Sequence, residues 1–140
     1  MMRSRTREEK VEEFHKAFKL DINSQARVSL LNLRAKLIEE ETQEVVQAID
    51  AISTELIFHK RPSADHWGHL LKELCDLQYV LSGTIVALKD LPTHVFDAAF
   101  NRVHDSNMSK LDDEGNPIYN EEGKVLKGKN YKEPDLSILV

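Results

Sequence analysis

The sequence contains a single cysteine, Cys75, among its 140 residues. One cysteine can form neither an internal disulfide nor a cysteine-rich zinc site, which is typical of a protein from a reducing compartment. The sequence also lacks an apolar run near the roughly 18 residues of a membrane span, and its N-terminus lacks the apolar segment of a signal peptide. These absences predict a cytoplasmic protein with no membrane partner.

Positive charge is in the minority. There are 19 Lys and Arg residues against 24 Asp and Glu residues, which gives a formal net charge of −5. Proteins bind duplex nucleic acid largely by neutralising phosphates with Lys and Arg. The charge balance therefore argues against a duplex nucleic-acid partner, and a phosphorylated ligand would need another source of positive charge.

Glycine and proline are scarce and unevenly placed. Three of the 5 glycines and two of the 4 prolines follow Met108. Because both residue types interrupt regular helices, residues 5–108 are predicted to be helical and residues 109–140 to form turns and short extended pieces. No linker divides the chain, so we expect one domain over residues 1–140.

Apolar residues recur at helical spacing in four segments. The predicted helices span about residues 6–18, 24–59 and 65–88, and a fourth begins near Pro92. Thr6 is the predicted N-cap of the first helix, with Glu9 as its capping-box partner. Short connections between these segments favour an all-α fold, a bundle of four to five helices.

The last quarter of the sequence shows a different pattern. Residues 117–119 and 124–127 are short extended segments on either side of a turn that contains Gly123. This arrangement predicts a small C-terminal β-hairpin followed by an extended tail. A lone hairpin is marginally stable in water, so we expect it to pack on the helices or on a second subunit.

Four acidic residues interrupt the apolar stripes of the second and third predicted helices. They are Glu41 and Glu44 on one helix and Glu73 and Asp76 on the other. Residues three apart share a helix face, so antiparallel packing of the two helices would bring the four side chains together. Glu40 adjoins this group, one turn before Glu44.

Converging carboxylates either take up protons or bind cations. Oxygen ligands select hard ions, Mg²⁺ first and Mn²⁺ next, and Mg²⁺ is commonly completed by substrate phosphates. A di-iron bundle would need two Glu-x-x-His motifs, which neither helix carries. The alternative is a solvated acidic helix face, which is the common role of such residues.

The spacing of these acids resembles a known motif. Glu41-x-x-Glu44, 28 intervening residues and Glu73-x-x-Asp76 are similar to the motif of the all-α nucleoside triphosphate pyrophosphohydrolases, which include MazG-like enzymes, dimeric dUTPases and phosphoribosyl-ATP pyrophosphohydrolases. A resemblance to the tail of a MazG-like, dUTPase-like subgroup lies in residues 103–111, 113–118 and 123–128 and in Tyr131-x-x-Pro134-Asp135-Leu136. The resemblance spans about residues 10–136.

The resemblance implies metal-dependent hydrolysis of a nucleoside triphosphate between its α and β phosphates, which gives the monophosphate and pyrophosphate. It implies that the four motif acids hold the metal, and we expect Glu40 to orient or deprotonate water or to hold a second metal. It places Asn107 and Lys110 in contact with substrate, with dUTP or another modified or surplus nucleotide as a first candidate. It also implies a homodimer or a dimer of dimers.

Three further residues are candidates for substrate contact. Lys127 belongs to a lysine-rich tail suited to phosphate, Tyr131 would stack or hydrogen-bond, and Trp67 would stack on a base. Each also has a purely structural interpretation, as solvated charge or as a packed ring. Three other functions stay open: a phosphoribosyl-ATP pyrophosphohydrolase, a non-catalytic helical module that binds metal or nucleotide, and a helical interaction protein.

Overall fold

Three helices form the part of the chain that runs to Asp90. In the computed structural model, which describes residues 3–58, 61–137 and 139, they are α1 (Arg7–Ala17), α2 (Val28–Ile57) and α3 (Ala64–Ala87). Helix α3 packs against both α2 and α1. The helix order agrees with the prediction, although α2 begins about one turn late. Its predicted last residue, His59, lies outside the described residues.

Local side-chain bonds define where the helices start. The predicted capping box is confirmed, since the Glu9 backbone N–H donates to Thr6 Oγ1 at 3.1 Å and the Glu9 carboxylate accepts from the Thr6 backbone N–H. Ser63 caps α3 by accepting from the His66 N–H at 3.2 Å, and the Ser63 N–H in turn donates to Glu55 Oε2 at 3.1 Å. Late residues of α2 thus meet early residues of α3, which makes the two helices antiparallel neighbours.

The buried interior of this unit is partly polar. Its buried apolar side chains are Val11, Leu30, Val45, Ala48, Ile52, Ile85, Ala87 and Leu88. Its buried polar side chains are His15, Arg34, Glu73 and Ser82. Val28 and Leu31 belong to the apolar pattern at the start of α2, which predicts an inward face, yet they are 75% and 46% exposed. Leucines occupy several faces of this stretch, so spacing alone did not identify the inward one.

Gly83 allows two buried side chains to lie against α3. A β-carbon at this position would lie 2.5 Å from Arg34 Nη2 and 3.0 Å from His15 Nε2. Gly83→Ala is therefore expected to displace Arg34 and break its bond to the Val80 carbonyl, which lowers the free energy of unfolding by about 1–3 kcal/mol. Urea unfolding followed by circular dichroism measures the change.

Gly68 provides a matched control on the same helix. A β-carbon there meets no atom within 4 Å, so Gly68→Ala gains helix propensity alone and should raise stability by up to about 1 kcal/mol. The two alanine variants should therefore shift the unfolding midpoint in opposite directions. Shifts of the same sign would contradict the role assigned to Gly83.

The second part of the chain begins at Leu91 and contains α4 (Thr93–Met108), with Pro92 as its N-cap. The chain after α4 returns along this helix. Arg102 Nη1 donates to the Asp135 carbonyl at 2.7 Å, and Ser106 Oγ donates to the Lys132 carbonyl at 2.7 Å. Hydrogen bonds from α4 side chains to backbone carbonyls thus hold the tail on α4.

The predicted β-hairpin is wrong, because the described residues contain no strand. Residues 117–127 form a single isolated antiparallel bridge, between Tyr119 and Val125. Two turns of the same design dominate instead: the Asp112 and Asn120 side chains each accept backbone N–H groups two and four residues ahead. Gly115 and Gly123 occupy the same place in these turns, with φ of 78° and 83°. Side-chain-capped turns thus satisfy much of the backbone here, beside this single bridge.

Within the described ranges, no helix combines the length and apolar character that crossing a bilayer requires.

Candidate functional site

The four acids of the sequence motif meet on the facing sides of α2 and α3. Glu41 and Glu44 from α2 and Glu73 and Asp76 from α3 each offer one carboxylate oxygen, and these four oxygens lie within 4.8 Å of one another. The antiparallel contact of the two helices produces this convergence from two pairs three residues apart. Four negative charges at such distances repel strongly unless protons or cations intervene.

Two oxygens of the cluster are buried and have no hydrogen-bond donor among the described residues. They are Glu41 Oε2 and Glu73 Oε2. Glu73 is only 3% exposed. Buried carboxylate oxygens are costly when left without a donor or a cation, so these two atoms indicate that the cluster receives a positively charged partner.

Few positive groups of the described chain approach the cluster. Lys72 Nζ lies 3.0 Å from Asp76 Oδ2 and 3.4 Å from Glu73 Oε1, and its bond to Asp76 raises the pKa of Lys72. His69 Nε2 lies 3.7 Å from Glu73 Oε1. Both contacts involve exposed side chains at the edge, so they leave most of the negative charge uncompensated.

Glu44 carries the electrostatic signature of the cluster. The side chain of Glu73, and after it that of Glu41, raises the pKa of Glu44 from 4.5 to about 7. Neighbouring carboxylates share a proton in preference to holding adjacent negative charges. A cation in the cluster would displace this proton, because the ligating form of the side chain is the carboxylate.

The raised pKa predicts a pH dependence of the metal-free protein. Between pH 4.5 and about 7 folded Glu44 keeps a proton that the unfolded chain has released, so its contribution to stability is full below pH 4.5 and is lost as pH rises through about 7. In EDTA, urea midpoints of the wild type should therefore fall more steeply from pH 5 to pH 8 than those of Glu44→Gln. Parallel profiles would contradict the shared proton.

The donor set fits a hard divalent cation. The cluster consists of carboxylates alone, two carboxylate oxygens lack donors, and the exposed Glu44 leaves an open side for water or substrate. Mg²⁺ and Mn²⁺ prefer oxygen ligands and keep some of their waters. Glu41, Glu44, Glu73 and Asp76 are therefore the residues that would hold such an ion.

Two other predicted site residues lie on the same pair of helices but outside the cluster. Glu40 is exposed, and its carboxylate lies 4.0 Å from Lys36 Nζ. Trp67 lies in the first turns of α3 and is 53% exposed. Neither residue contributes to the four converging oxygens, so their assigned roles stay predictions.

The remaining predicted residues belong to the part of the chain after Leu91. Asn107 lies in the last turn of α4 and is exposed, whereas Lys110 just beyond it is half-buried. Lys127 Nζ lies 4.7 Å from the centre of the Tyr131 ring, so these two residues form a cation–π pair. Their contact with substrate stays a prediction.

A cavity of about 590 Å³ adjoins the cluster, and the sequence did not indicate it. Its wall includes Glu41 and Asp76 at the cluster and extends to Leu30 and Ala87. The other lining residues are Phe14, His15, Leu20, Asp21, Leu33, Arg34, Leu37, Tyr79 and Val80. The one available signal was that Leu30, Arg34, Leu37 and Glu41 follow one another at steps of three or four on α2.

Comparison with known protein families gives one match that covers most of the chain. Residues 11–107 match the family described as phosphoribosyl-ATP pyrophosphohydrolase. The match includes all four acids of the cluster and ends at Asn107, so Lys110, Lys127 and Tyr131 lie beyond it. A comparison with individually curated proteins found no match.

Proposed function

Because the chain belongs to the phosphoribosyl-ATP pyrophosphohydrolase family and is therefore a pyrophosphohydrolase of the MazG-like superfamily, we propose that it cleaves a nucleoside triphosphate between the α and β phosphates in a Mg²⁺-dependent reaction. The observation that carries this proposal is the cluster of four carboxylates that bring oxygens within 4.8 Å of one another, with one oxygen of Glu41 and one of Glu73 buried without a donor. Mn²⁺ would substitute for Mg²⁺, since both favour oxygen ligands.

The residues of the cluster have distinct tasks in this proposal. Buried Glu73 and half-buried Glu41 are held by the packing of α2 against α3, so their oxygens are fixed before the ligand arrives. Glu44 and Asp76 complete the set from the open side. When bound, Mg²⁺ supplies charge neutralisation at the phosphate oxygens and lowers the pKa of bound water. Glu44 must release its proton when the cluster binds Mg²⁺.

We assign Glu40 to the attacking water. Its exposed carboxylate lies one turn before Glu44 on α2, close enough along the helix to reach a water at the open side of the cluster. Glu40 would orient this water or accept its proton, which is the role of a general base. Its weak 4.0 Å contact with Lys36 leaves the carboxylate available.

Residues outside the cluster would contact the rest of the substrate. We propose that Asn107, Lys110 and Lys127 bind phosphate or sugar oxygens, because a lysine acts as a point charge for phosphate. Tyr131, which already contacts Lys127, would position that lysine or stack on the substrate. Trp67, whose ring is exposed, is the alternative stacking partner for the base.

There are two candidate substrates. A modified or surplus deoxynucleotide such as dUTP would make this a house-cleaning enzyme, whereas the matched family favours phosphoribosyl-ATP. The test is a panel of deoxynucleoside triphosphates and phosphoribosyl-ATP, assayed with Mg²⁺ and with Mn²⁺. If the protein hydrolyses phosphoribosyl-ATP and no simple triphosphate, phosphoribosyl-ATP is the substrate and dUTP is not. Tight binding with no turnover of either would indicate a non-catalytic module.

We further propose that the chain forms a homodimer or a dimer of dimers. Large apolar side chains are exposed on α2 and α3, namely Leu31, Val46, Ile49, Leu71, Leu74 and Leu81. Exposed apolar surface on this scale is typical of an association face. Light scattering should give at least twice the mass of one chain, and a mass that stays at one chain at high concentration would contradict this.

A further inference from the structure

Arg34 is a buried cation that has no carboxylate partner among the described residues. Arg34 is only 6% exposed to solvent. Nε donates to Thr84 Oγ1 at 3.1 Å and Nη2 donates to the Val80 carbonyl at 2.8 Å. A guanidinium has five N–H donors, and no described residue accepts from Nη1. Since a buried charge without an anion is costly and Arg34 lines the cavity, its position indicates an acceptor that a ligand supplies.

His15 adds an acceptor next to this donor. Its Nδ1 lies 2.8 Å from the Asp21 carbonyl oxygen, which can only accept, so Nδ1 carries a proton. In the neutral ring Nε2 is then unprotonated and accepts hydrogen bonds. This Nε2 and Arg34 Nη2 both lie close to Gly83, and His15 and Arg34 both line the cavity. Donor and acceptor are therefore neighbours on its wall.

The rest of the cavity suits a flat ring. Leu30, Leu33 and Leu37 contribute apolar walls, and Phe14 meets Tyr79 edge to face with ring centres 5.4 Å apart. Aromatic and apolar side chains with a few convergent polar groups are typical of a site for a ring-shaped ligand. A phosphate group would lose most of its hydration here for a single unpaired guanidinium.

The distance to the acidic cluster fits a nucleotide. Arg34 precedes Glu41 by seven residues on α2, about 10 Å along the helix axis, and both residues line the same cavity. A nucleotide with its phosphates at the cluster would reach Arg34 with the edge of its base that is far from the sugar. The polar pair is therefore placed to read that edge.

We propose that Arg34 and His15 select nucleotides whose base carries an exocyclic carbonyl beside a ring N–H, a proposal that rests on the proposed function. Uracil, thymine, hypoxanthine and guanine offer this pattern: the carbonyl accepts from Arg34 and the N–H donates to His15 Nε2. Cytosine and adenine present an amino group and a bare ring nitrogen at the same edge, so a donor would face Arg34 and an acceptor would face His15 Nε2. Buried polar groups left unpaired in this way are the strongest source of discrimination between substrates of equal size.

The test uses two substrate pairs that differ at this edge, dUTP against dCTP and dITP against dATP. In the wild type kcat/KM should favour the carbonyl member of at least one pair by about tenfold or more. Arg34→Met should remove this preference by lowering kcat/KM for the carbonyl member, while the amino member changes by less than about twofold. Arg5→Met removes the same charge from an exposed position and should leave the preference intact.

Binding in the wild type tests the proposal without relying on turnover or on the folding of a variant. With the α,β-imido analogues of dUTP and dCTP and Mg²⁺, the side-chain Nε–H signal of Arg34 in nitrogen-15 NMR should shift with the first analogue and much less with the second. Equal responses, or an unchanged base preference in folded Arg34→Met, would overturn the proposal while Mg²⁺-dependent hydrolysis still stands. A selective response without any hydrolysis would support it and refute the proposed function.

Discussion

Asp76→Asn is expected to lower kcat/KM for triphosphate hydrolysis by about 100-fold or more while the protein stays folded. The substitution keeps the shape of the side chain and removes a charged ligand from the cluster. Loss of a ligand weakens metal binding and also the neutralisation of phosphate charge. The Asp76 side chain is 39% exposed, so its replacement costs little core packing. Steady-state kinetics at saturating Mg²⁺, with circular dichroism as the folding check, measures the effect.

Glu44→Gln should show a loss of similar size, because Glu44 belongs to the same four-oxygen group. Glu39→Gln is the matched control, since Glu39 is an exposed acid on the same helix that does not belong to the cluster. Its kcat/KM should stay within about twofold of the wild type. Full activity in folded Asp76→Asn and Glu44→Gln would show that the cluster is not the catalytic metal site.

Mg²⁺ is expected to raise the free energy of unfolding of the folded protein. An ion that binds the folded cluster and not the unfolded chain adds about 2.7 kcal/mol at a concentration 100 times its Kd. The gain arises because the ion replaces repulsion among four carboxylates by attraction. Thermal unfolding should shift upward by several degrees, and Ca²⁺ or Mn²⁺ should act in the same direction.

Two variants separate this effect from general salt stabilisation. Glu44→Gln should raise the Tm of the metal-free protein, since it removes like-charge repulsion, and should respond weakly to Mg²⁺. Glu39→Gln should respond as the wild type does. A Mg²⁺ shift of equal size in all three proteins would mean that the ion acts elsewhere.

The acidic cluster could be predicted from the sequence because it depends on local spacing alone. The two acids of each pair are three residues apart on a long helix and therefore lie on one face of it. Antiparallel packing of the helices then brings the two faces together. The superfamily followed from the same residues and is confirmed by the family match over residues 11–107. The helix order and the capping box at Thr6 also depend on short-range signals.

The cavity could not be predicted in this way, because it depends on which face of each helix is turned inward. Arg34 and His15 are polar residues that the stripes excluded from the interior, yet they are 6% and 3% exposed. Gly83, which makes room for both, has no signal of its own in the sequence. Long-range contacts among three helices determine which of these side chains are buried, and the spacing of residues along one helix does not reveal those contacts.

The C-terminal error has a different cause. The extended segments on either side of Gly123 favoured two paired strands, but the Asn120 side chain accepts the N–H groups of Glu122 and Lys124 and holds the turn by itself. One bridge then suffices to close the segment. The side-chain turn at Asp112, eight residues earlier, has the same chemistry, and the sequence pattern did not predict it either.

Phosphorus-31 NMR of the reaction products tests whether the carboxylate cluster supports metal-dependent cleavage between the α and β phosphates. With Mg²⁺ and its best triphosphate, the wild type should give monophosphate and pyrophosphate in equal amounts, and EDTA should stop the reaction. Release of inorganic phosphate and a nucleoside diphosphate would contradict cleavage between the α and β phosphates, and equal turnover in EDTA would contradict the need for a metal.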